Sequence, residues 1–264
     1  PPWVTTAGPE ADDLARSAGL DLDAWQVLCV EVIFAEQADG SWAARIVVIV
    51  VPRQNGKGSI LEVVELTHLF LIPTTRLIIH SAHEFATSSE HFERLYTLID
   101  ENPNLKRRVA PRGIHRSHGS EGFTLLDGTR LRFKTRTKGG GRGFSGDLVV
   151  LDEAMDLPPK AVSALVPTMS AMPNPQLIIT GSAPLEGSES DVLRSLIKQG
   201  RIGAEDLALL EWCAAKDADP DDPVAHQQAN PGYPLRIGPR DIATERRMMH
   251  LDIEGFKRER LGIW

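Results

Sequence analysis

The sequence predicts an α/β fold with a central, mostly parallel sheet and helices on both faces. Short β-branched segments that are apolar throughout are typical of strands buried on both faces. Each is followed by a segment with helical spacing, which is the order of a doubly wound sheet. The four clearest strands are RIVVIVV at 45–51, RLIIH at 76–80, DLVVL at 147–151 and QLIIT at 176–180.

The remaining elements follow from local patterns. The first twenty residues are polar, with Pro, Gly and Asp between them, and are expected to form an arm. Residues 123–135 predict a hairpin in which Asp127-Gly128 supplies the positive φ angles of a two-residue turn. A last strand is expected at 207–212. Helices are predicted at 22–34, 59–71, 84–99, 160–169 and 191–200, with a final charged helix near 241–260.

Composition excludes several classes of protein. A chain of 264 residues with 42% hydrophobic and 25% charged residues is that of an ordinary globular protein. The longest apolar run, 46–51, is far shorter than the roughly 20 residues of a membrane span, and we expect no signal peptide. Cys29 and Cys213 lie in apolar stretches, so we expect two buried free thiols in a reducing compartment.

Charge is unevenly distributed along the chain. The net charge is −7, yet residues 105–142 contain eleven Lys or Arg and only two acidic residues. Such a basic segment on an acidic body indicates an anionic partner, which could be nucleotide phosphates, a nucleic acid or an acidic neighbour. A solvated surface rich in lysine and arginine fits the same pattern.

A candidate phosphate loop, PRQNGKG at 52–58, stands between the first strand and its helix. Backbone N–H groups at such a turn converge on an anion, and Lys57 can reach the β- and γ-phosphates. The loop departs from the usual pattern at Val51, which replaces a glycine, and at Gly58, which replaces the hydroxyl that binds Mg²⁺; Ser59 is the nearest hydroxyl. An ordinary βα turn with an exposed lysine is the alternative. The predicted nucleotide contacts are Arg53, Gln54, Asn55, Gly56, Lys57, Gly58 and Ser59.

Two acids end the third apolar strand. Asp152 is expected to hold Mg²⁺ and Glu153 to polarise the attacking water. The alternative is that Asp152 caps the following helix. Because ligands bind at the carboxyl ends of parallel strands, we expect both acids to face the 52–58 loop in one nucleotide-hydrolysing site.

These motifs together resemble one family. The loop VPRQNGKG, the run GGGRGFSGD leading into LVVLDEA, and TGSAP at 180–184 are similar to the ATPase domain of tailed-phage large terminases. The resemblance extends from LDAWQ at 22–26 to the C-terminus, and phosphate loops that start with Arg and lack the first Gly are typical of that family. It implies a P-loop NTPase fold of the additional-strand catalytic-glutamate type.

The resemblance also implies an activity and partners. The expected function is Mg²⁺-dependent ATP hydrolysis that drives packaging of double-stranded DNA into a procapsid, in the host cytoplasm. Implied partners are a portal protein, a small terminase subunit and further copies of the chain in a ring. Residues 1–20 would then be an arm, 21–238 the P-loop ATPase domain, and 239–264 a helical segment leading toward a nuclease domain that this sequence lacks.

Further residue roles come from the resemblance alone. Gln26 would hydrogen-bond to the adenine edge with Trp25 nearby, although Trp25 as a core residue fits equally well. Arg53 would contact phosphate or act as a switch. Arg142 would be an arginine finger for a neighbouring subunit, or alternatively a DNA-backbone or cis phosphate contact. Thr180, Gly181 and Ser182 would couple hydrolysis to movement.

Two other functions stay open. A helicase-like ATPase is one, because HEFATSSEHF at 83–92 stands where helicases place a DNA-contacting motif. A nucleotide-binding scaffold that lost hydrolysis through Gly58 is the other. The acidic run 217–222 lies in a Pro-rich turn without the separated strand carboxylates of a two-metal site, so no nuclease activity is expected. His80, His115 and His118 match no metal-ligand spacing.

Overall fold

The computed structural model describes residues 1–117, 119–135, 146–184 and 190–264. Its strands are β1 Thr5–Thr6, β2 Ala35–Glu36, β3 Ile46–Val50, β4 Leu77–Ala82, β5 Val109–His115, β6 Gly122–Leu125, β7 Arg130–Thr135, β8 Leu148–Leu151, β9 Gln176–Gly181 and β10 Leu207–Glu211. Its α-helices are α1 Gly8–Ser17, α2 Ala24–Ile33, α3 Lys57–Phe70, α4 Phe85–Glu101, α5 Pro103–Lys106, α6 Pro159–Met169, α7 Asp191–Arg201, α8 Pro223–Ala229, α9 Pro239–Met248 and α10 Ile253–Leu261.

Eight strands form one sheet in the order β10-β3-β9-β8-β4-β7-β6-β5. Every neighbouring pair from β10 to β7 is parallel, and the β7-β6 and β6-β5 pairs are antiparallel. β1 and β2 form a separate antiparallel pair. The predicted mostly parallel α/β sheet is therefore confirmed, with an antiparallel extension at one side.

Helices cover both faces of this sheet, as predicted. Val47 and Ile49 of β3 point to one face, where they pack with α1, α2, α3 and α4. Val48 and Val50 point to the other face, where they pack with α6 and α7. Burial on both faces explains why β3 is apolar at every position. A smaller apolar cluster joins α8, α9 and α10.

The expected N-terminal arm is wrong for residues 8–17, which form helix α1. Ala11 and Ala15 are fully buried against the core, one helical turn apart. Gly8 allows the close approach, because a Cβ there would lie 2.7 Å from the Cα of Glu31. The apolar stripe of α1 consists mainly of small alanines, which give a weak hydrophobic pattern in the sequence.

The predicted hairpin forms between β6 and β7, but its turn differs from the prediction. Only Gly128 has a positive φ, 87°, and four residues separate the two strands. Asp127 Oδ1 accepts a hydrogen bond from the Thr129 N–H at 2.9 Å. Asp127 therefore shapes the turn through its side chain and not through a left-handed backbone.

Other differences lie at the β5 edge of the sheet and in the C-terminal helices. Strand β5 was not predicted, because Pro111 and Gly113 interrupt its pattern. The single C-terminal helix expected at 241–260 is two helices, α9 and α10. Asp252 caps α10 by accepting a hydrogen bond from the Gly255 N–H at 2.8 Å.

Both cysteines are free, with Cys29 fully buried and Cys213 partly buried. Burial raises the pKa of the Cys29 thiol, so that it stays protonated. Within the described ranges, no helix combines the length and apolar character that crossing a bilayer requires.

Candidate nucleotide site

Three neighbouring parallel strands bring the predicted motifs to one edge of the sheet. Val50 of β3 lies opposite Gly181 of β9, and Leu151 of β8 lies opposite Ile179 of β9. The N–H of Val51 donates to the Gly181 carbonyl at 3.2 Å, just where the phosphate loop begins. The 52–58 loop, the 180–182 segment and the two acids after β8 therefore meet at the carboxyl ends of adjacent strands, where ligands of such sheets bind.

The loop has the backbone of a tight turn before a helix. Gln54 and Gly56 have positive φ angles of 64° and 99°. A side chain at Gly56 would be strained by this backbone and would place its Cβ 2.8 Å from Nε2 of Gln26. α3 begins at Lys57, so its unpaired N-terminal N–H groups and its positive dipole end face the loop.

Lys57 lies folded against the loop, and its Nζ donates to the Val51 carbonyl at 3.2 Å. Desolvation lowers the pKa of Lys57, and the negative charge of Asp152 opposes this effect. Glu153 acts in the same direction as Asp152. The charges of the loop lysine and of the two acids that follow β8 are therefore close enough to affect one another.

Asp152 is anchored from several sides. Its Oδ1 accepts hydrogen bonds from Thr180 Oγ1 at 2.5 Å and from the Glu153 N–H at 2.8 Å. Burial raises the pKa of this carboxyl, but the charge of His80, the bond from Thr180 and the charge of Lys57 together hold it below its ordinary value. An ionised, fixed carboxylate at this edge is the type of ligand that Mg²⁺ binds.

Glu153 has a left-handed backbone with a φ of 55°. This conformation costs a residue with a Cβ roughly 1–2 kcal/mol. Its Oε1 accepts a hydrogen bond from Thr87 Oγ1 of α4 at 3.3 Å. The strained turn and Thr87 thus position the carboxylate beside the end of β8. Sequence reasoning missed Thr87, whose only signal was the polar run at 83–92.

Gln26 and Trp25 lie at the start of α2. The buried Gln26 side chain donates from Nε2 to the Gly56 carbonyl at 2.8 Å and accepts from the Asp23 N–H at 2.7 Å. Trp25 is 8% exposed and packs edge-on against Trp212 at 5.1 Å. Gln26 therefore ties α2 to the phosphate loop. Adenine contact by either side chain stays a prediction.

Asn55 joins the loop to the C-terminal part of the chain. Its Nδ2 donates to Asn230 Oδ1 at 2.9 Å and to the Pro52 carbonyl at 3.0 Å. Its Oδ1 accepts from the Gly232 N–H at 3.0 Å. The Asn55 side chain is therefore engaged within the protein, and a nucleotide contact by Asn55 stays a prediction.

Arg53 is also held by the C-terminal helices. Its Nε lies 2.8 Å from Glu259 Oε2, and its carbonyl accepts a hydrogen bond from Arg260 Nη1 at 3.1 Å. Arg236 approaches the loop from the same side and pairs with Asp23. The sequence predicted none of these C-terminal residues near the loop, which are Asn230, Gly232, Arg236, Glu259 and Arg260.

The remaining predicted residues occupy different positions. Gly58 and Ser59 lie in the first turn of α3 and are partly exposed, whereas Gly181 and Ser182 are buried at the end of β9. The edge thus contains every predicted loop, metal and coupling residue. Arg142 falls within 136–145, which is outside the described residues. His118 is also outside them.

One buried cluster near the site has the composition of a metal centre. Among described residues, Glu65, His80 and His91 alone bring three potential donor atoms within 4.8 Å of one another. Nδ1 of His80 lies 2.6 Å from one Glu65 oxygen, and Nε2 of His91 lies 2.9 Å from the other. The two rings are stacked, with centroids 4.4 Å apart and planes inclined by 19°.

This ring geometry favours hydrogen bonding over metal binding. A metal lies in the plane of each imidazole that ligates it, at about 2.0–2.1 Å. Two stacked, nearly parallel rings direct their nitrogens to separate carboxylate oxygens and not to one point. Burial raises the pKa of Glu65, but His80 and His91 outweigh it and lower the pKa to about 2. The cluster is therefore an ionised carboxylate that holds two imidazoles.

Comparison with known proteins identifies solved structures that share this fold. No known family model matches the sequence, and no curated protein does. The large terminase of bacteriophage HK97 superimposes with a TM-score of 0.81 at 19% identity, over 98% of this chain and 55% of that one. The large-terminase ATPase domain of Thermus phage P74-26 gives 0.65 at 19% identity, over 94% and 96%.

A third structure shows the same likeness. The large terminase of a thermophilic bacteriophage, in complex with ADP, gives a TM-score of 0.61 at 12% identity, over 91% of this chain and 53% of that one. At these identities the likeness establishes a shared fold. This chain spans about half the length of the HK97 large terminase and nearly all of the P74-26 ATPase domain.

Proposed function

We propose that this chain is the ATPase motor domain of a viral large terminase and hydrolyses ATP to drive double-stranded DNA into a procapsid. One observation supports it above the others: Lys57 of the loop and the acids Asp152 and Glu153 lie at one sheet edge and act on each other electrostatically. The fold shared with large-terminase ATPase domains supports the same proposal.

The chemistry would follow from the roles of these side chains. Backbone N–H groups of the loop and Lys57 would hold the β- and γ-phosphates at the N-terminus of α3. Asp152 would hold Mg²⁺, with Ser59 as a second candidate ligand. The metal neutralises charge on the phosphate oxygens when it is bound. Glu153 would orient the attacking water, and Arg142 of a neighbouring subunit would stabilise the transferred phosphoryl group.

Thr180 offers a physical route for coupling hydrolysis to movement. Its hydroxyl bonds to Asp152, and the next residue, Gly181, accepts from the Val51 N–H. A change in charge at Asp152 would therefore act directly on β9 and on the base of the phosphate loop. We assign this coupling to Thr180, Gly181 and Ser182.

The proposal extends to partners. Double-stranded DNA, a portal protein, a small terminase subunit and further copies of the chain in a ring are the partners that such a motor requires. Basic residues of 105–142 would contact the DNA backbone or the neighbouring subunit. The host cytoplasm is the proposed location, and no nuclease activity is proposed for this chain.

Lys57→Ala and Glu153→Gln test the proposal. We expect Lys57→Ala to abolish both ATP binding and turnover, because it removes the ammonium group that would reach the β- and γ-phosphates. Glu153→Gln should keep ATP binding but lower turnover by about 10²–10⁴-fold, the usual contribution of a general base. Phosphate release measures turnover, and calorimetry with a non-hydrolysable analogue measures binding.

Glu84→Gln is the matched control. Glu84 is an exposed acid that precedes α4, and Glu84→Gln should change neither ATP binding nor turnover. A Glu153→Gln enzyme that hydrolyses ATP at the wild-type rate would refute the catalytic assignment. Wild-type protein that binds ATP without any turnover would instead identify a nucleotide-binding scaffold.

A further inference from the structure

The absent hydroxyl at residue 58 leaves a space that another side chain occupies. A Cβ built on Gly58 would lie 2.5 Å from Nη2 of Arg94 and 3.3 Å from its Cζ. The guanidinium of α4 therefore lies against the first turn of the phosphate-loop helix, one residue after Lys57. A serine or threonine at 58 would have to displace it.

Two acids hold Arg94 in this position. Its Nε lies 2.8 Å from Oε1 of Glu62, which is buried one helical turn after Gly58. Its Nη1 lies 3.8 Å from Glu90, one turn earlier on α4. Among the described residues Nη2 donates no hydrogen bond, and the Arg94 side chain as a whole is 50% exposed.

We propose that Arg94 binds the terminal phosphate of the nucleotide from within the same chain, in the space that a hydroxyl side chain at residue 58 would otherwise take. This inference rests on the proposed function. An arginine presents paired N–H donors that match phosphate oxygens, and Glu62 fixes its orientation before the ligand arrives. Gly58 is then the residue that admits the guanidinium to the loop.

The proposal distinguishes a triphosphate from a diphosphate. A contact to the terminal phosphate is worth about 10- to 100-fold in affinity, as for hydrogen bonds to charged groups. We expect Arg94→Ala to weaken binding of a non-hydrolysable ATP analogue by this factor, while binding of ADP changes less than threefold. Arg94→Lys should recover part of the loss, because it keeps the charge without the fork of donors. Calorimetry on the purified chain measures both affinities.

Gly58→Ala provides a second test that a folding defect would not mimic. Its methyl group would displace the guanidinium although Arg94 is still present, and alanine favours the helix by about 1 kcal/mol over glycine. We expect the same selective loss for the triphosphate analogue with no fall in melting temperature. The double variant Arg94→Ala, Gly58→Ala should lose no more than Arg94→Ala alone.

Arg16→Ala is the matched control. Arg16 is 59% exposed and pairs with Asp12 and Asp13 on its own helix α1, so both affinities should match wild type. Equal triphosphate affinity in wild type and Arg94→Ala would overturn the inference, and so would an equal loss for both nucleotides. Wild-type protein that binds neither nucleotide would refute the proposed function itself, which separates the two failures.

Discussion

Glu65 is a fully buried carboxylate that contacts two imidazoles, and its charge makes the stability of the fold depend on pH. Its ordinary pKa of 4.5 falls to about 2 because His80 and His91 outweigh its burial. Burial lowers the pKa of His91, but the charge of Glu65 and its hydrogen bond to the ring outweigh burial and raise the pKa. The folded state therefore binds fewer protons at Glu65 than the unfolded state, and its ionised form adds stability above pH 4.5 that is lost as the pH falls toward 2.

Glu65→Gln tests this contribution. Removing one partner from a buried charged cluster costs roughly 3–5 kcal/mol, which we expect near pH 6. The difference from wild type should shrink as the pH falls from 4.5 toward 2, because wild type loses the same charge. Urea unfolding at a series of pH values measures it. Glu90→Gln, an exposed change on α4, is the control, and a difference that stays constant with pH would contradict the assignment.

At the scale of elements, the phosphate loop is fixed by helices on two sides. Gln26 of α2 holds the Gly56 carbonyl, while Asn55 holds Asn230 and the Gly232 N–H beyond α8. Arg53 pairs with Glu259 of α10. The conformation of the loop therefore depends on residues far from it in the chain.

Asn55→Ala should loosen this connection. It leaves buried donors and acceptors without partners, at about 1–3 kcal/mol for each group. We expect the free energy of unfolding to fall by roughly 2–4 kcal/mol and the affinity for an ATP analogue to weaken. Chemical unfolding and calorimetry are the measurements. Asn104→Ala, at an exposed position of α5, should leave both unchanged. If Asn55→Ala has the wild-type free energy of unfolding and the wild-type affinity for the ATP analogue, the loop keeps its conformation without these hydrogen bonds.

The elements also show how far the sequence predicts the site. Lys57, Asp152 and Glu153 could be placed together because each follows an apolar strand, and parallel strands end at one edge. The sequence could not predict the positions of Asn230, Arg236 and Glu259. Their contacts with the loop join segments that are distant in sequence, and no periodic pattern indicates such contacts. Arg94 was missed for a similar reason: an arginine on an amphipathic helix gives no sign of which neighbour it reaches.

For the whole molecule, the proposed ring predicts that neighbouring subunits share a site. Arg142 is our candidate for a finger given to a neighbour, and it lies in the segment outside the described residues. A finger in trans makes the turnover of each chain rise with protein concentration, because isolated chains lack it. A cis contact gives turnover that is independent of concentration.

Mixing two inactive variants separates these cases. Arg142→Ala should lower turnover by about 10³–10⁵-fold while nucleotide binding is kept. If the finger acts in trans, mixing Arg142→Ala with Glu153→Gln should restore part of the activity, because one subunit supplies the finger and the other the glutamate. A mixture as inactive as either variant alone would exclude the trans finger.

The strand order has a consequence for how the chain is made. β3 lies in the sheet between β9 and β10, so its first partner begins only at Gln176. During synthesis from the N-terminus, β3 (IVVIV) stays without a partner strand until most of the polypeptide has been made. Non-local parallel pairing is slow, and unpaired apolar strands aggregate. Nascent chains that stop before β9 should therefore be the species that most need chaperones.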